Sequence, residues 1–221
     1  MKKFNLIDDL YIHPTPGGAF YAITEPEIDP SRKLIHSLLQ QKSTAPLTLE
    51  GLKQWVGMDD DDGAMGLLHH IQNLGWVQGL ESPLQSNDAP LEELLPDMLK
   101  VLSDSGKVLL ADSMGFYLAS SGFPHEVAEE LSALSAELAN LHERRSGLLI
   151  NNLGLGGSTW AIVDAVGHSK VGFWPLYIGG QRFVLVISGV PHLNSPNFVE
   201  LVWALFLRYT ASIQQDGKQV A

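Results

Sequence analysis

In the stretch 124-PHEVAEELSALSAELANLHERRS-146 two stripes of side chains run side by side. Val127, Leu131, Leu134, Leu138 and Leu141 recur at spacings of four, three, four and three, which lines them up along one face of a long helix. Ala128, Ser132, Ser135 and Ala139 run beside them at spacings of four, three and four. A stripe of small side chains lets another backbone approach closely. The leucines are therefore expected to cover a sheet, and the small stripe to meet a second helix from a second copy of the chain. The expected dimer surface is Ala128, Ser132, Ser135 and Ala139, joined by Trp160 where that ring lies beside them.

Outward from this helix, the flanking sequence alternates short strands with turns. Leu91–Leu102 has helical periodicity, and Val108–Asp112 and Phe116–Ser120 read as strands about a turn at Ser113-Met114-Gly115. After the striped helix come three strand candidates, Thr159–Ala165, Lys170–Ile178 and Arg182–Ser188, the last two joined at Gly179-Gly180-Gln181. A final helix starts at Asn194 or Ser195, with Pro196 in its first turn, and runs to about Ile213. Its apolar surface is broad: Phe198, Leu201, Val202, Leu205, Phe206 and Tyr209, widened by Val199, Trp203 and Leu207. Such a helix is covered on more than one side.

Between residues 81 and 91 the segment ESPLQSNDAPL has the composition of a connection. Domains are expected at 1–82 and 90–221. In the first, Leu6–His13 and Ala19–Thr24 read as strands joined through Pro14-Thr15-Pro16-Gly17-Gly18. Asp29 with Pro30 opens a helix, Thr48 opens a second, and the aspartates at 59–62 suit the start of a third. A strand over Trp76–Leu80 returns. Strands, three helices and a strand make a winged-helix-like pattern.

The order helix, two strands, helix, three strands, helix resembles the roadblock (dynein light chain) family. The local words resemble it as well. Val108-Leu109-Leu110-Ala111-Asp112-Ser113-Met114-Gly115-Phe116-Tyr117-Leu118-Ala119-Ser120-Ser121-Gly122 looks like that family's opening hairpin, and 128-AEELSALSAEL-138 like its following helix. The resemblance spans about residues 90–213. The segment 148-LLINNLGLGGSTW-160 departs from it, being longer and richer in glycine. The fold class implied is α+β: a winged-helix-like module followed by a roadblock/profilin-like domain with a five-stranded antiparallel sheet flanked by helices. The resemblance also implies dimers built by the striped helix and the third strand, acting as regulators or partners of small Ras-like GTPases. The N-terminal part resembles, in architecture alone, the small winged-helix peptide-binding modules of peptide-modifying pathways.

Composition narrows the classes. The formal net charge is −11 with no compensating basic tract, which argues against nucleic acid and anionic membrane as partners. The expected third helix, Asp60–Leu74, has no Lys or Arg with which to enter a groove. The chain has no cysteine, so disulfides, thiolate metal sites and a cysteine nucleophile are excluded. The opening MKKFNLIDDLYIH reaches two aspartates before any apolar run, unlike a secretory leader, and 198-FVELVWALFL-207 is too short to span a bilayer. A cytoplasmic protein is expected.

Chemistry is sparse. Asp59–Asp62 lacks the alternating ligands of a calcium loop, and His69-His70 are adjacent and so point off different helix faces. Gly154-Leu155-Gly156-Gly157-Ser158-Thr159 lacks a P-loop lysine and leads into a strand. Glu92-Glu93 and Glu129-Glu130 lie on exposed helix faces. No catalytic, cofactor or metal residues are expected. The function expected is non-enzymatic regulation or scaffolding, as a homodimer with a protein partner such as a small GTPase. A small-molecule or peptide sensor is the alternative, and a DNA-binding regulator ranks behind both.

Overall fold

Capping residues place the starts of three helices of the first unit where the sequence puts them, at Asp29, Thr48 and Asp60. The computed structural model describes residues 5–7 and 9–216. The described residues form two compact units, one of those up to 88 with those from 194 onward, and one of residues 89–193.

In the first unit β1 (Tyr11–Pro14) pairs antiparallel with β2 (Val77–Leu80), with Tyr11 opposite Leu80 and Pro14 opposite Val77. Four helices lie between them in sequence: α1 (Pro16–Ile23), α2 (Pro30–Leu39), α3 (Leu49–Val56) and α4 (Asp61–Asn73). Asp29 caps α2 by accepting from the Ser31 and Arg32 amides, at 2.8 and 3.0 Å. Thr48 caps α3 through the Gly51 amide at 3.1 Å, and Asp60 caps α4 through Gly63 at 2.9 Å.

Helix α1 corrects the expected second strand over Ala19–Thr24. Thr15 accepts from the Gly18 amide at 3.2 Å and Pro16 opens the helix, so Thr15-Pro16 is a helix start rather than a hairpin. Ala19, Ala22 and Ile23 then bury one side at helical spacing. A Cβ at Gly18 would run into the Trp76 carbonyl, so glycine lets α1 lie against that backbone. The winged-helix-like expectation of two leading strands thus becomes one strand and one helix. The strand itself begins at Tyr11; Asp8, inside the expected Leu6–His13, lies outside the described residues.

The last helix, α7 (Pro196–Asp216), is grouped with this first unit, whereas sequence order assigned it to a 90–221 domain. Phe198 tilts against Phe20, Trp203 against His13 and Phe206 against His36, with ring centroids 6.2, 5.2 and 4.8 Å apart. The Trp203 indole N–H donates to the Gln41 carbonyl at 2.7 Å.

The second unit runs α5 (Leu91–Lys100), β3 (Val108–Asp112), β4 (Tyr117–Ser121), α6 (His125–Gly147), a π-helical turn (Leu148–Asn152), β5 (Trp160–Val163), β6 (Ser169–Ile178) and β7 (Gln181–Ser188). Its five strands form one antiparallel sheet in the order β4-β3-β7-β6-β5. This is the five-stranded antiparallel sheet, and the helix, two strands, helix, three strands order, that the roadblock resemblance implies. The hairpin turn is built as its sequence suggests: Asp112 Oδ1 accepts from the Met114 and Phe116 amides at 2.9 and 3.0 Å. Strands β3 and β7 are buried along their centres, and α6 lies against β3, β7 and β4. Among the described residues no helix is long and apolar enough to cross a membrane.

Candidate functional site

Across β3, β7 and β6, Leu109, Val186 and Phe173 stand opposite one another on the sheet face that α6 covers. With Val184 and Ala139 they form a buried cluster. The small-residue stripe of α6 is turned onto this core. Ser132 and Ser135 are 1 % exposed, and Ala128, Ala136 and Ala139 are buried beside them.

This overturns the expected dimer surface. Ala128, Ser132, Ser135 and Ala139 are consumed by the chain's own core and are not open to a second copy. The physical reason lies in what small residues permit. They let α6 settle close to the sheet and to the β3–β4 turn, where a Cβ on Gly115 (φ 89°) would come 3.2 Å from the Ala133 Cα. The serine hydroxyls cost little there, because each donates to its own helix: Ser132 to the Glu129 carbonyl at 2.8 Å and Ser135 to the Ser132 carbonyl at 2.7 Å.

The leucine stripe lies roughly a third of a turn around the helix. Leu131, Leu134 and Leu138 rest partly on the buried cluster and are only half covered, as is Leu141, while Val127 is 39 % exposed. The stripe was legible; its open flank was not, because spacing alone does not say which of two adjacent faces meets the sheet.

Trp160 sits at the rim of this flank. It stands opposite Phe173 on β6, packs against the cluster, and donates its indole N–H to His142 Nδ1 at 3.3 Å. The rings meet edge to face, with centroids 6.4 Å apart. Of the five expected residues, then, Trp160 alone is only partly buried, packed against the same cluster that the leucines cover. Strand β5 ends the sheet order, and Ile162 and Val163 on it are more than half exposed. Edge strands offer unpaired backbone groups to another chain. Arg182 ties α6 to the start of β7, donating to Glu143 and, at 2.8 Å, to Asn140.

A recess elsewhere in this unit measures about 870 Å³ and is bordered by Asp104, His168, Lys170, Ser188 and Val190. Neither Trp160 nor Trp174 borders it. Its polar groups are committed: Asp104 accepts from the Val190 amide at 2.8 Å, and Lys170 pairs with Asp164 at 3.0 Å. Among the described residues no group of three or more His, Asp or Glu side chains is placed to hold a metal ion.

No family model matches the chain, and no curated protein matches it. Among solved structures it is similar to Myxococcus xanthus MglB, at 16% identity over 61% of this chain and 96% of that one, with a TM-score of 0.33. It is similar also to a Roadblock/LC7 domain from Streptomyces avermitilis, at 13% identity over 57% of this chain and 99% of that one, with a TM-score of 0.35.

Proposed function

We propose that this protein is a non-enzymatic regulator or scaffold that works as a homodimer, joined through the leucine flank of α6 and the adjoining edge of β5. The observation that carries this is the open flank itself. Val127, Leu131, Leu134, Leu138 and Leu141 keep a strict four-three alternation, and a period of 3.5 residues is what one helix presents to another. One side of the stripe rests on its own unit's sheet, and among the described residues of that unit the other side is only partly covered. A patch of this kind suits a two-fold interface, in which the same surface serves both copies. Ile162 and Trp160 extend it onto the sheet.

The further partner in this reading is a small Ras-like GTPase, a proposal supported by the resemblance of residues 108–138. The two parts have separate tests. Sedimentation equilibrium of the full chain reads the dimer. Capture from source-cell extract loaded with GDP or GTP, with the bound species identified, reads the GTPase. A small GTPase held in one nucleotide state is the expected result; none in either state removes that partner and leaves the dimer standing.

A further inference from the structure

Residues 146–163 carry no charged side chain, in a chain whose net charge is −11. Within this span Leu148, Ile150, Leu153 and Leu155 are each 50 to 59 % exposed. They follow α6 directly, on the π-helical turn and the glycine-rich connection to β5. Four large apolar side chains held in water over eight residues disfavour an isolated chain. Among the described residues, nothing lies within 4 Å of a Cβ placed on Gly154, Gly156 or Gly157.

We infer that residues 148–155 form an arm that grips the second copy, closing over Val127 and the first turns of the partner subunit's α6. This rests on the dimer proposed above. The leucine alternation continues past Leu141: four residues on is Arg145, and three further is Leu148, so the arm starts on the same seam. Orientation follows from charge. Glu130, Glu137 and Arg144 repeat every seven residues along one border of the seam, and all three are exposed. Parallel helices would set that border against the opposite one, which holds Ala128, Ser135 and His142. Antiparallel helices set it against itself.

Of the antiparallel registers, one places Glu137 beside the partner's Arg144 in both directions, Leu138 beside the partner's Leu141, and Leu148 beside the partner's Leu131. Shifting by a heptad faces Glu137 with its own copy, which like charge opposes. In the favoured register the arm passes the partner's Leu131 and arrives at the partner's Val127, the most exposed of the five apolar residues that the stripe places on α6. Its occupant is thus a second copy of this chain, and the arm is a segment of the interface absent from the family's shorter pattern.

Because the chain has no cysteine, an introduced pair reads a single contact. Full-length Leu153→Cys mixed with full-length Val127→Cys is expected to form a disulfide-linked heterodimer on mild oxidation. Leu153→Asp with Leu155→Asp is expected to raise the dimer Kd by about tenfold or more, the scale of losing central apolar contacts. Its melting as a monomer should be unchanged, since both side chains are exposed. Glu137→Arg should weaken the dimer, and adding Arg144→Glu should restore it. A wild-type dimer that gives no 153–127 cross-link and keeps its Kd in the double aspartate variant overturns the arm alone. A wild-type chain that stays monomeric overturns the dimer and the arm together.

Discussion

Ser135 donates its hydroxyl to the Ser132 carbonyl at 2.7 Å, and both side chains are shut inside the α6–sheet core. A polar pair at the centre of a helix face is thereby made to behave as a pair of small apolar residues. Ser135→Ala should change stability by less than about 1 kcal/mol, because the lost bond was internal to the helix. Ser132→Arg or Ser135→Arg should cost more than about 3 kcal/mol, by overpacking and by burying a charge without a partner. Urea unfolding of the three variants separates the readings. A folded, monomeric arginine variant would return these serines to a dimer surface.

Trp203 shows where α7 belongs. Its indole bonds to Gln41 and its ring meets His13, both in the first unit. Trp203→Ala should destabilise that unit by about 3–5 kcal/mol, from the lost packing and an unpaired carbonyl. A chain ending at residue 193 should lose the far-UV helix signal of residues 16–73 as well as that of α7. Retention of a cooperative melt in a 1–88 fragment would contradict the assignment.

Acid should loosen the same unit. Burial lowers the pKa of His13 below its usual 6.5, and burial lowers that of His36 also, against the hydrogen bond His36 makes to the Ala22 carbonyl. In each case the unfolded chain takes up a proton before the folded one does. Stability is therefore full above pH 6.5 and falls as pH drops through that value toward the lowered folded pKa. Asp29 acts lower. Burial would raise its carboxyl, but bonds from Tyr21, the Arg32 and Ser31 amides and the Arg32 charge hold it below the usual 3.8, so its contribution is lost only in stronger acid. Urea midpoints between pH 7.5 and 5.5 should fall, and His13→Gln with His36→Gln should flatten the fall. An unchanged slope in that variant would remove the histidines from the account.

Gly115 is the tightest point of the hairpin. At φ 89°, with a Cβ that would crowd Ala133, Gly115→Val is expected to cost about 2 kcal/mol or more. Thermal unfolding reads this; a shift within error would mean that the turn relaxes away from α6.

Much of this fold was legible because single residues commit the backbone. Asp29-Pro30, Thr48 and Asp60 cap helices wherever they stand before an apolar run, and Asp112 with Gly115 closes a turn whose geometry is local. The strands of the second unit followed from alternation and short turns, whereas the pairing of β3 with β7 joins segments far apart in the chain. Three features were not legible, and all are questions of partner choice. Thr15-Pro16-Gly17-Gly18 suits a hairpin and a helix start equally, and the Trp76 carbonyl that selects the helix is far along the chain. The α6 stripes are adjacent, and which one meets the sheet depends on how close the β3–β4 turn comes. The greasy breadth of α7 showed that it is covered on several sides, without showing by which segment.

The central claim is that the half-covered leucine flank joins two copies of this chain. Leu134→Glu with Leu138→Glu, followed by sedimentation equilibrium beside the wild type, tests it most directly, with near-UV circular dichroism to verify folding. A wild-type dimer and a folded, monomeric double variant are predicted. A wild type that sediments as a monomer, or a double variant that remains dimeric, would contradict it.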